Sequence, residues 1–386
     1  MYPNGGGAVL LKDVILERLA QGTMAPGDSH PRWVGVTQCT MRKVLVTGAS
    51  GFVGSRLVRA LVDRGETVRV LVRPGSSLKG LRDLPVEICH GDIMIEHEVY
   101  RALAGCDRMY HVAAVFKMFA RDPNDILQPA IAGTEATLEA ARKRGLDKVV
   151  VTSSVAAVGV NPDPEPMDET WEFNLKDSET YVVAKWKAEQ VALSYVEKGL
   201  PVVVVNPSGI FGPGDWKPTP SGDTILQFLK WSWPWGFPTS DGGINVVDVD
   251  DVVAGHLGAM DKGRIGQRYI LGGQDLHYEE MFTLLSEITG LRGPGMKASH
   301  GMAMNMGRLL ELSARLFGGE PPLTYKLARD YVGKFVWVTT RKAEKELGYQ
   351  PRPASQTLLR SVKWYLYQGY LEDHEETRLQ LDVRGR

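Results

Sequence analysis

The sequence predicts a doubly wound α/β fold: a parallel sheet covered by helices on both faces, joined to a smaller, mostly helical C-terminal region. Three observations carry this. Apolar runs alternate with helical patterns from Met41 onward, a glycine trio joins the first run to the first helix, and the alternation stops after Asn206. The runs are Val44–Val46, Val68–Val72, Val86–Ile88, Met109–Val112, Val149–Val151 and Val202–Val205. They are continuous rather than alternating, as expected of strands buried on both sides. Helical patterns over 52–64, about 96–104, 124–144 and 178–198 separate them.

Residues 1–40 read as an upstream extension, in which Leu11, Ile15 and Leu19 give Val9–Ala20 one apolar side. Residues 41–206 form the body of the sheet domain. The stretch 207–245 is rich in Pro, Gly and Trp. A strand and helix at Ile244–Met260 and a strand at Tyr269–Leu271 return to complete the domain at about 244–275. The remainder, 207–243 and 276–376, reads as a region that closes over the crevice and binds substrate, with 377–386 as a tail.

Bulk properties exclude several classes. With 386 residues there is enough chain for one large domain or two modest ones. The net charge of −1 and the absence of a basic block argue against nucleic acid as a partner. Cys39, Cys89 and Cys106 are too scattered for a disulfide framework or a zinc site, which points to a reducing compartment and no metal. No apolar run reaches the roughly 18 residues of a membrane span, and no charged start precedes an apolar core as in a secretory signal. The expectation is a cytoplasmic globular protein.

Glycines at Gly48, Gly51 and Gly54 follow the first strand and open the first helix. The physics favours a dinucleotide: Gly48 allows the tight turn, Gly51 lets backbone N–H groups approach a pyrophosphate, and Gly54 lets helix and strand pack closely. The helix N-terminus directs its partial positive charge at the phosphates. At the end of the second strand a carboxylate would bind the ribose hydroxyls of NAD, and an arginine the 2′-phosphate of NADP. Arg73 stands there, with Ser76 and Ser77 behind it. The expected cofactor is NADP(H), with NAD(H) as the alternative. Asp92, in Gly91-Asp92-Ile93, follows the third strand, where a carboxylate can accept from the adenine amino group. Small residues at Ala113 and Ala114 let the cofactor lie close to the backbone, and His111 beside them is structural or functional.

Tyr181 and Lys185 are four apart at the start of a predicted helix, which places phenol and ammonium on one face. A free tyrosine titrates near pH ~10, so a neighbouring cation that favours phenolate would fit it for proton transfer. Thr152, Ser153 and Ser154 emerge at the carboxyl end of the fifth strand. Ser154 is expected to hydrogen-bond the substrate oxygen, with Ser153 in support.

Together TGASGFVG at 47–54, GDI at 91–93, HVAA at 111–114, TSS at 152–154, the Tyr181/Lys185 pair and Asn206-Pro207-Ser208 resemble the extended short-chain dehydrogenase/reductase family. The match runs from about Met41 to Tyr365. The resemblance implies a Rossmann fold and an oxidoreductase with Ser154, Tyr181 and Lys185 as its catalytic set. It also implies cofactor contacts from Gly48, Ser50, Gly51, Phe52, Val53, Gly54, Asp92, Ile93, Ala113, Ala114, Thr152, Lys185, Pro207 and Ser208. Family members commonly pair as homodimers through the helices at about 124–144 and 178–198. Pro129-Ala130-Ile131-Ala132-Gly133-Thr134 resembles the dihydroflavonol and cinnamoyl-CoA reductase branch, with Ala130 where sugar epimerases usually carry Asn. Against this, NPSGIFGPGDWKPTPSG is similar to hopanoid-associated sugar-epimerase-like proteins, and GIFGPGD to 3β-hydroxysteroid dehydrogenases. The expected small-molecule substrate is bulky and largely apolar or aromatic. Its contacts are Phe116, Met118, Ser154, Tyr181, Asn206 and Trp216, and Val115, Phe119, Trp231, Trp233 and Trp235 add to an aromatic wall or to a small-domain core. The alternatives are a nucleotide-sugar epimerase or dehydratase and a 3β-hydroxysteroid-dehydrogenase-like enzyme.

Overall fold

A computed structural model of the protein describes residues 43–114, 122–230, 235–319, 321 and 323–372. The amphipathic segment at 9–20, Phe116 and Met118 with their neighbours 115–121, and Trp231 and Trp233 lie outside the described residues. The described residues fall within one compact unit.

The larger sheet begins with β1 (Lys43–Thr47), β2 (Thr67–Val72), β3 (Glu87–His90), β4 (Arg108–His111), β5 (Lys148–Thr152) and β6 (Val202–Pro207). The helices between them are α1 (Phe52–Asp63), α2 (Glu96–Ala102), α3 (Asn124–Arg144) and α4 (Thr180–Glu197). After β6 come β7 (Gly209–Phe211), α5 (Pro220–Lys230), β8 (Phe237–Ser240), β9 (Gly243–Asp248), α6 (Val249–Lys262), β10 (Arg268–Leu271) and β11 (Gln274–His277). The chain ends with α7 (Tyr278–Thr289), β12 (Pro294–Ala298), α8 (His300–Phe317), α9 (Tyr325–Tyr331), β13 (Phe335–Val336), α10 (Arg341–Leu347) and α11 (Ala354–Tyr367).

Seven parallel strands lie in the order β3-β2-β1-β4-β5-β6-β10. The chain leaves β1 in one direction and β4 in the other, so a crevice opens above their carboxyl ends, where such folds bind ligands. The continuous apolar runs are explained by burial on both faces. Val44, Val46, Val150, Val203 and Val205 pack with α1 and α6 on one side, while Leu45, Met109, Val149 and Val204 pack with α2, α3 and α4 on the other.

The strand expected near Ile244 does not join this sheet. β9 instead centres a second sheet, with β11 antiparallel, β13 parallel and β7 beside it. Its polar midpoint fixes this. Asn245 is fully buried; its Oδ1 accepts from Ser208 Oγ at 2.6 Å and Gly273 N at 2.7 Å, and its Nδ2 donates to Asp275 at 2.7 Å. Only α6 and β10 return to the larger sheet. The region after 276 is mostly helical as expected, with β12 and β13 added. Both are short: β12 has no apolar run to signal it, whereas β13 opens the run Phe335-Val336-Trp337-Val338.

Candidate active site

The turn after β1 is shaped by close backbone contacts. Gly48 has φ +70°, and a Cβ there would lie 2.5 Å from Ala113 N at the end of β4. A Cβ on Gly54 would lie 2.1 Å from the Gly48 carbonyl oxygen, so α1 packs against the turn only through glycine. Gly51 is exposed and caps α1 without a side chain, and no acidic residue occupies the first turn. The first N–H groups of α1 therefore face outward at the positive end of the helix dipole. This cradle fits a pyrophosphate. Ser50 and Phe52 are partly exposed beside it; the Val53 side chain joins the core and leaves only its backbone to the turn.

Arg73 is exposed immediately after β2, the neighbour of β1, and no carboxylate follows it through Leu78. Asp92 is engaged locally: its carboxylate accepts from Met94 N at 3.0 Å and its N–H donates to Glu98 at 2.7 Å. Ile93 lines a pocket between the ends of β4 and β5 and the helices α3 and α4, with His111, Ala113, Ala114, Thr152 and Ser153. His111 is buried, and burial, with help from the charge on Lys185, lowers its pKa to about 4. It is thus neutral at ordinary pH, hydrogen-bonded through Nδ1 to Thr47 Oγ1 at 2.9 Å.

Tyr181 and Lys185 border the same pocket from α4. The Ser154 hydroxyl hydrogen-bonds the Tyr181 phenol and also accepts from Ala156 N at 3.1 Å, capping a short turn after β5. Burial pushes the Tyr181 pKa up to about 12, and the bond from Ser154 only partly opposes this. The sequence reading expected a phenol lowered by Lys185. Desolvation dominates here, with only the bond from Ser154 acting against it, so the phenol keeps its proton at neutral pH. Burial lowers Lys185 to about 8, opposed by the negative charge of Glu189.

Glu189 was not singled out from sequence. Only 1% exposed, it accepts from Asn206 Nδ2 at 2.6 Å and from Arg268 Nη1 at 3.1 Å, and it lines the pocket beside Lys185. Arg268 also donates to the carbonyls of Glu169 and Trp171 at 2.7 and 3.1 Å, which ties the loop before α4 to β10. The signal was available in part: Tyr181, Lys185 and Glu189 follow one another at intervals of four, a single helix face.

Other expected contacts sit elsewhere. Asn206 is 0% exposed; it bonds the Ser154 carbonyl at 3.0 Å and Glu189, so it braces the site and offers no surface to a substrate. The Thr152 hydroxyl is bonded to His256 Nε2 at 2.8 Å. The other nitrogen of that ring lies 2.8 Å from the Val252 carbonyl, and burial lowers the ring's pKa to about 4. A neutral ring that donates to a carbonyl through Nδ1 must accept at Nε2, so Thr152 donates away from the pocket. Ser208 is bound to Asn245, and Pro207 closes β6 in register with Leu271. Trp216 packs edge-on against Trp364, ring centroids 5.3 Å apart, and its carbonyl accepts from Tyr370 Oη at 2.8 Å. It therefore belongs to an aromatic cluster of the smaller region. Ser153 Oγ is buried and has no hydrogen-bond partner among the described residues.

The family model described as NAD dependent epimerase/dehydratase family matches residues 44–272. A Synechocystis sp. protein provisionally named a dihydroflavonol 4-reductase is 34% identical over 345 residues, covering 88% of this chain and 98% of that protein. Sterol demethylase protein B of Methylococcus capsulatus is 32% identical over 329 residues, covering 85% and 99%. The crystal structure of gox2253 superposes with a TM-score of 0.76 at 37% identity, covering 85% of this chain and 99% of that one. The chain belongs to the NAD dependent epimerase/dehydratase family, in the dihydroflavonol-reductase-like branch of the extended short-chain dehydrogenases/reductases.

Proposed function

We propose that the protein is an NADP(H)-dependent carbonyl reductase, working reversibly on a bulky, largely apolar or aromatic ketone or alcohol. The observation that carries this is the hydrogen bond between Ser154 and Tyr181, made beside Lys185 above the ends of β4 and β5. The glycine cradle of Gly48, Gly51 and Gly54 would hold the pyrophosphate, Arg73 the 2′-phosphate, Asp92 and Ile93 the adenine end, and Ala113 and Ala114 the ribose side. When bound, the nicotinamide exchanges a hydride with the substrate carbon. Ser154 holds and polarises the substrate oxygen. Tyr181, protonated at neutral pH, donates its phenolic proton to that oxygen as it becomes an alkoxide. Lys185 holds the ribose hydroxyls and stabilises the phenolate left behind, and Glu189 keeps Lys185 in place.

The names of two relatives support an apolar substrate, since one refers to a flavonol and the other to a sterol. The region 207–243 with 276–376 would bind that substrate. A cytoplasmic location and pairing as a homodimer through α3 and α4 complete the reading. No helix among the described residues is long and apolar enough to cross a membrane. The test is a carbonyl-compound screen that follows NADPH and NADH absorbance in parallel, with Tyr181→Phe as control. The variant should lose at least about a hundredfold in kcat while binding cofactor normally, in keeping with the usual size of acid–base catalysis. A near-parental kcat overturns the assignment. Purified protein that carries bound NAD and consumes no added NADPH would favour epimerase chemistry instead.

A further inference from the structure

Helix α8 carries most of its large apolar side chains outward, with Met304 and Leu310 half-buried. Toward α9 it presents small residues: Ala303 and Gly307 are buried, and a Cβ on Gly307 would lie 2.7 Å from the Thr324 backbone. Its solvent side carries Met302, Met306, Leu309, Leu312, Leu316 and Phe317, between 49% and 86% exposed. At about 100° per residue these six fall within an arc of roughly 140°, interrupted by Asn305 and Ser313. An apolar stripe on the water side reverses the usual pattern of a surface helix. Met296 on β12, just before the helix, is 62% exposed, and Trp235, at 65%, precedes β8, the strand that pairs with β12.

The charges around the stripe favour one kind of occupant. From Arg292 to Phe317 the sequence holds four cations (Arg292, Lys297, Arg308, Arg315) and one carboxylate, Glu311. Glu311 is turned inward, accepting from Tyr325 N at 2.9 Å. Lys297 pairs with Asp241 at 2.6 Å. Glu279 also acts on Lys297, so Glu311, Asp241 and Glu279 set against the four cations leave +1 in a chain whose total is −1. A second copy of the same patch would meet like charge, whereas an anionic lipid surface complements both the apolar stripe and the cations.

We propose that α8, with Met296 and Trp235, docks into the headgroup region of an anionic phospholipid surface. The position gives this a use. α9 anchors the α8–α9 hairpin to the start of α4: Thr324 Oγ1 donates to Glu179, Lys326 Nζ to the Ser178 carbonyl at 3.2 Å, and Arg329 Nη2 to the Asp177 carbonyl at 2.9 Å. The docked face lies on the hairpin fixed two to four residues before Tyr181. An apolar substrate dissolved in the bilayer could then enter without crossing water, a consequence that rests on the reductase reading, although the docking itself does not.

The experiment is flotation of the full chain with vesicles of phosphatidylcholine alone or with about 30% phosphatidylglycerol, without substrate or cofactor. The parent should float with the anionic vesicles, and less so in high salt. Leu309→Glu with Leu316→Glu, at exposed positions, should cut the bound fraction at least tenfold while the thermal melt and NADPH binding stay at parental values. The inference is overturned if the parent does not float, or if the double variant floats equally well. It is also overturned if the parent is a dimer that the double variant dissociates, since the stripe would then be covered by a second copy. Because no catalysis is measured, a failed reductase assay leaves this outcome untouched.

Discussion

Replacing Gly54 by alanine is the sharpest way to ask whether the turn after β1 seats the cofactor. The added Cβ would lie 2.1 Å from the Gly48 oxygen, 2.8 Å from the Gly48 carbonyl carbon and 3.0 Å from Ala49 Cα. Ordinary contact begins near ~3.4 Å, so α1 would have to move by roughly 1.3 Å in a close-packed interior. Every opposing atom is backbone, and Gly48 is itself pressed onto Ala113, so no side chain can turn aside. Overpacking of this kind costs about 1–3 kcal/mol, from which the better helix propensity of alanine returns up to ~1 kcal/mol. A fall of a few degrees in Tm should follow. The larger effect falls on binding. The outward N–H groups of α1 would shift by more than an ångström, and one lost bond to a charged phosphate is worth about 1.5–3 kcal/mol. NADPH Kd, measured by titration calorimetry, should therefore rise at least about tenfold. Gly301→Ala is the control, because nothing lies within 4 Å of its Cβ and its φ is ordinary; it should leave NADPH binding unchanged and the melt unchanged or slightly raised by the helix propensity of alanine. If Gly54→Ala binds NADPH within about threefold of the parent and melts within a degree of it, the cradle is not where the pyrophosphate sits.

Two further outcomes follow from the site. Arg73→Ala should lower kcat/KM for NADPH by about ten- to a hundredfold, the worth of one charged hydrogen bond to phosphate, and leave NADH almost unchanged. An unaltered cofactor preference would remove Arg73 from the reading. Glu189→Gln removes the negative neighbour that holds up the pKa of Lys185, so that pKa should fall further below about 8. The ammonium would be lost at lower pH as pH rises, moving the basic limb of the kcat/KM profile down by about half a unit or more. Glu189→Asp should restore part of it. Loss of activity at every pH with no displaced limb would mean that Glu189 serves packing alone.

What could be read from the sequence was what depends on neighbours along the chain. The strand–glycine–helix turn is local, and its physics follows from the residues at 48, 51 and 54. Tyr181 and Lys185 share a face because helical spacing puts them there. The misplaced contacts have one cause: a polar residue at a strand end does not announce which way it faces. β6 runs on to Pro207, so Asn206 is still inside the sheet and bonds Glu189. The Thr152 hydroxyl meets His256, 104 residues later, and Trp216 meets Trp364. β9 left the larger sheet because of a buried Asn245 whose partners lie at 208, 273 and 275. No local pattern encodes such pairings.

On the proposed function, the arrangement separates what fixes the chemistry from what selects the substrate. Asn206 from the larger sheet bonds the Ser154 carbonyl, and the fully buried Glu189 of α4, beside Lys185, accepts from both Asn206 and Arg268. A buried charge pair broken on one side leaves the other uncompensated, so this brace tolerates little change. The α8–α9 hairpin, by contrast, reaches the site through a few bonds to residues 177–179, and its outer face is exposed. Substitutions on that face cost little stability because they create neither cavity nor unpaired charge. On the proposed function, substrate class can therefore change through the hairpin while the proton and hydride geometry stays fixed. Chimaeras that exchange residues 294–331 with a relative's segment should change substrate preference and leave the position of the basic limb set by Lys185 and Glu189 where it was.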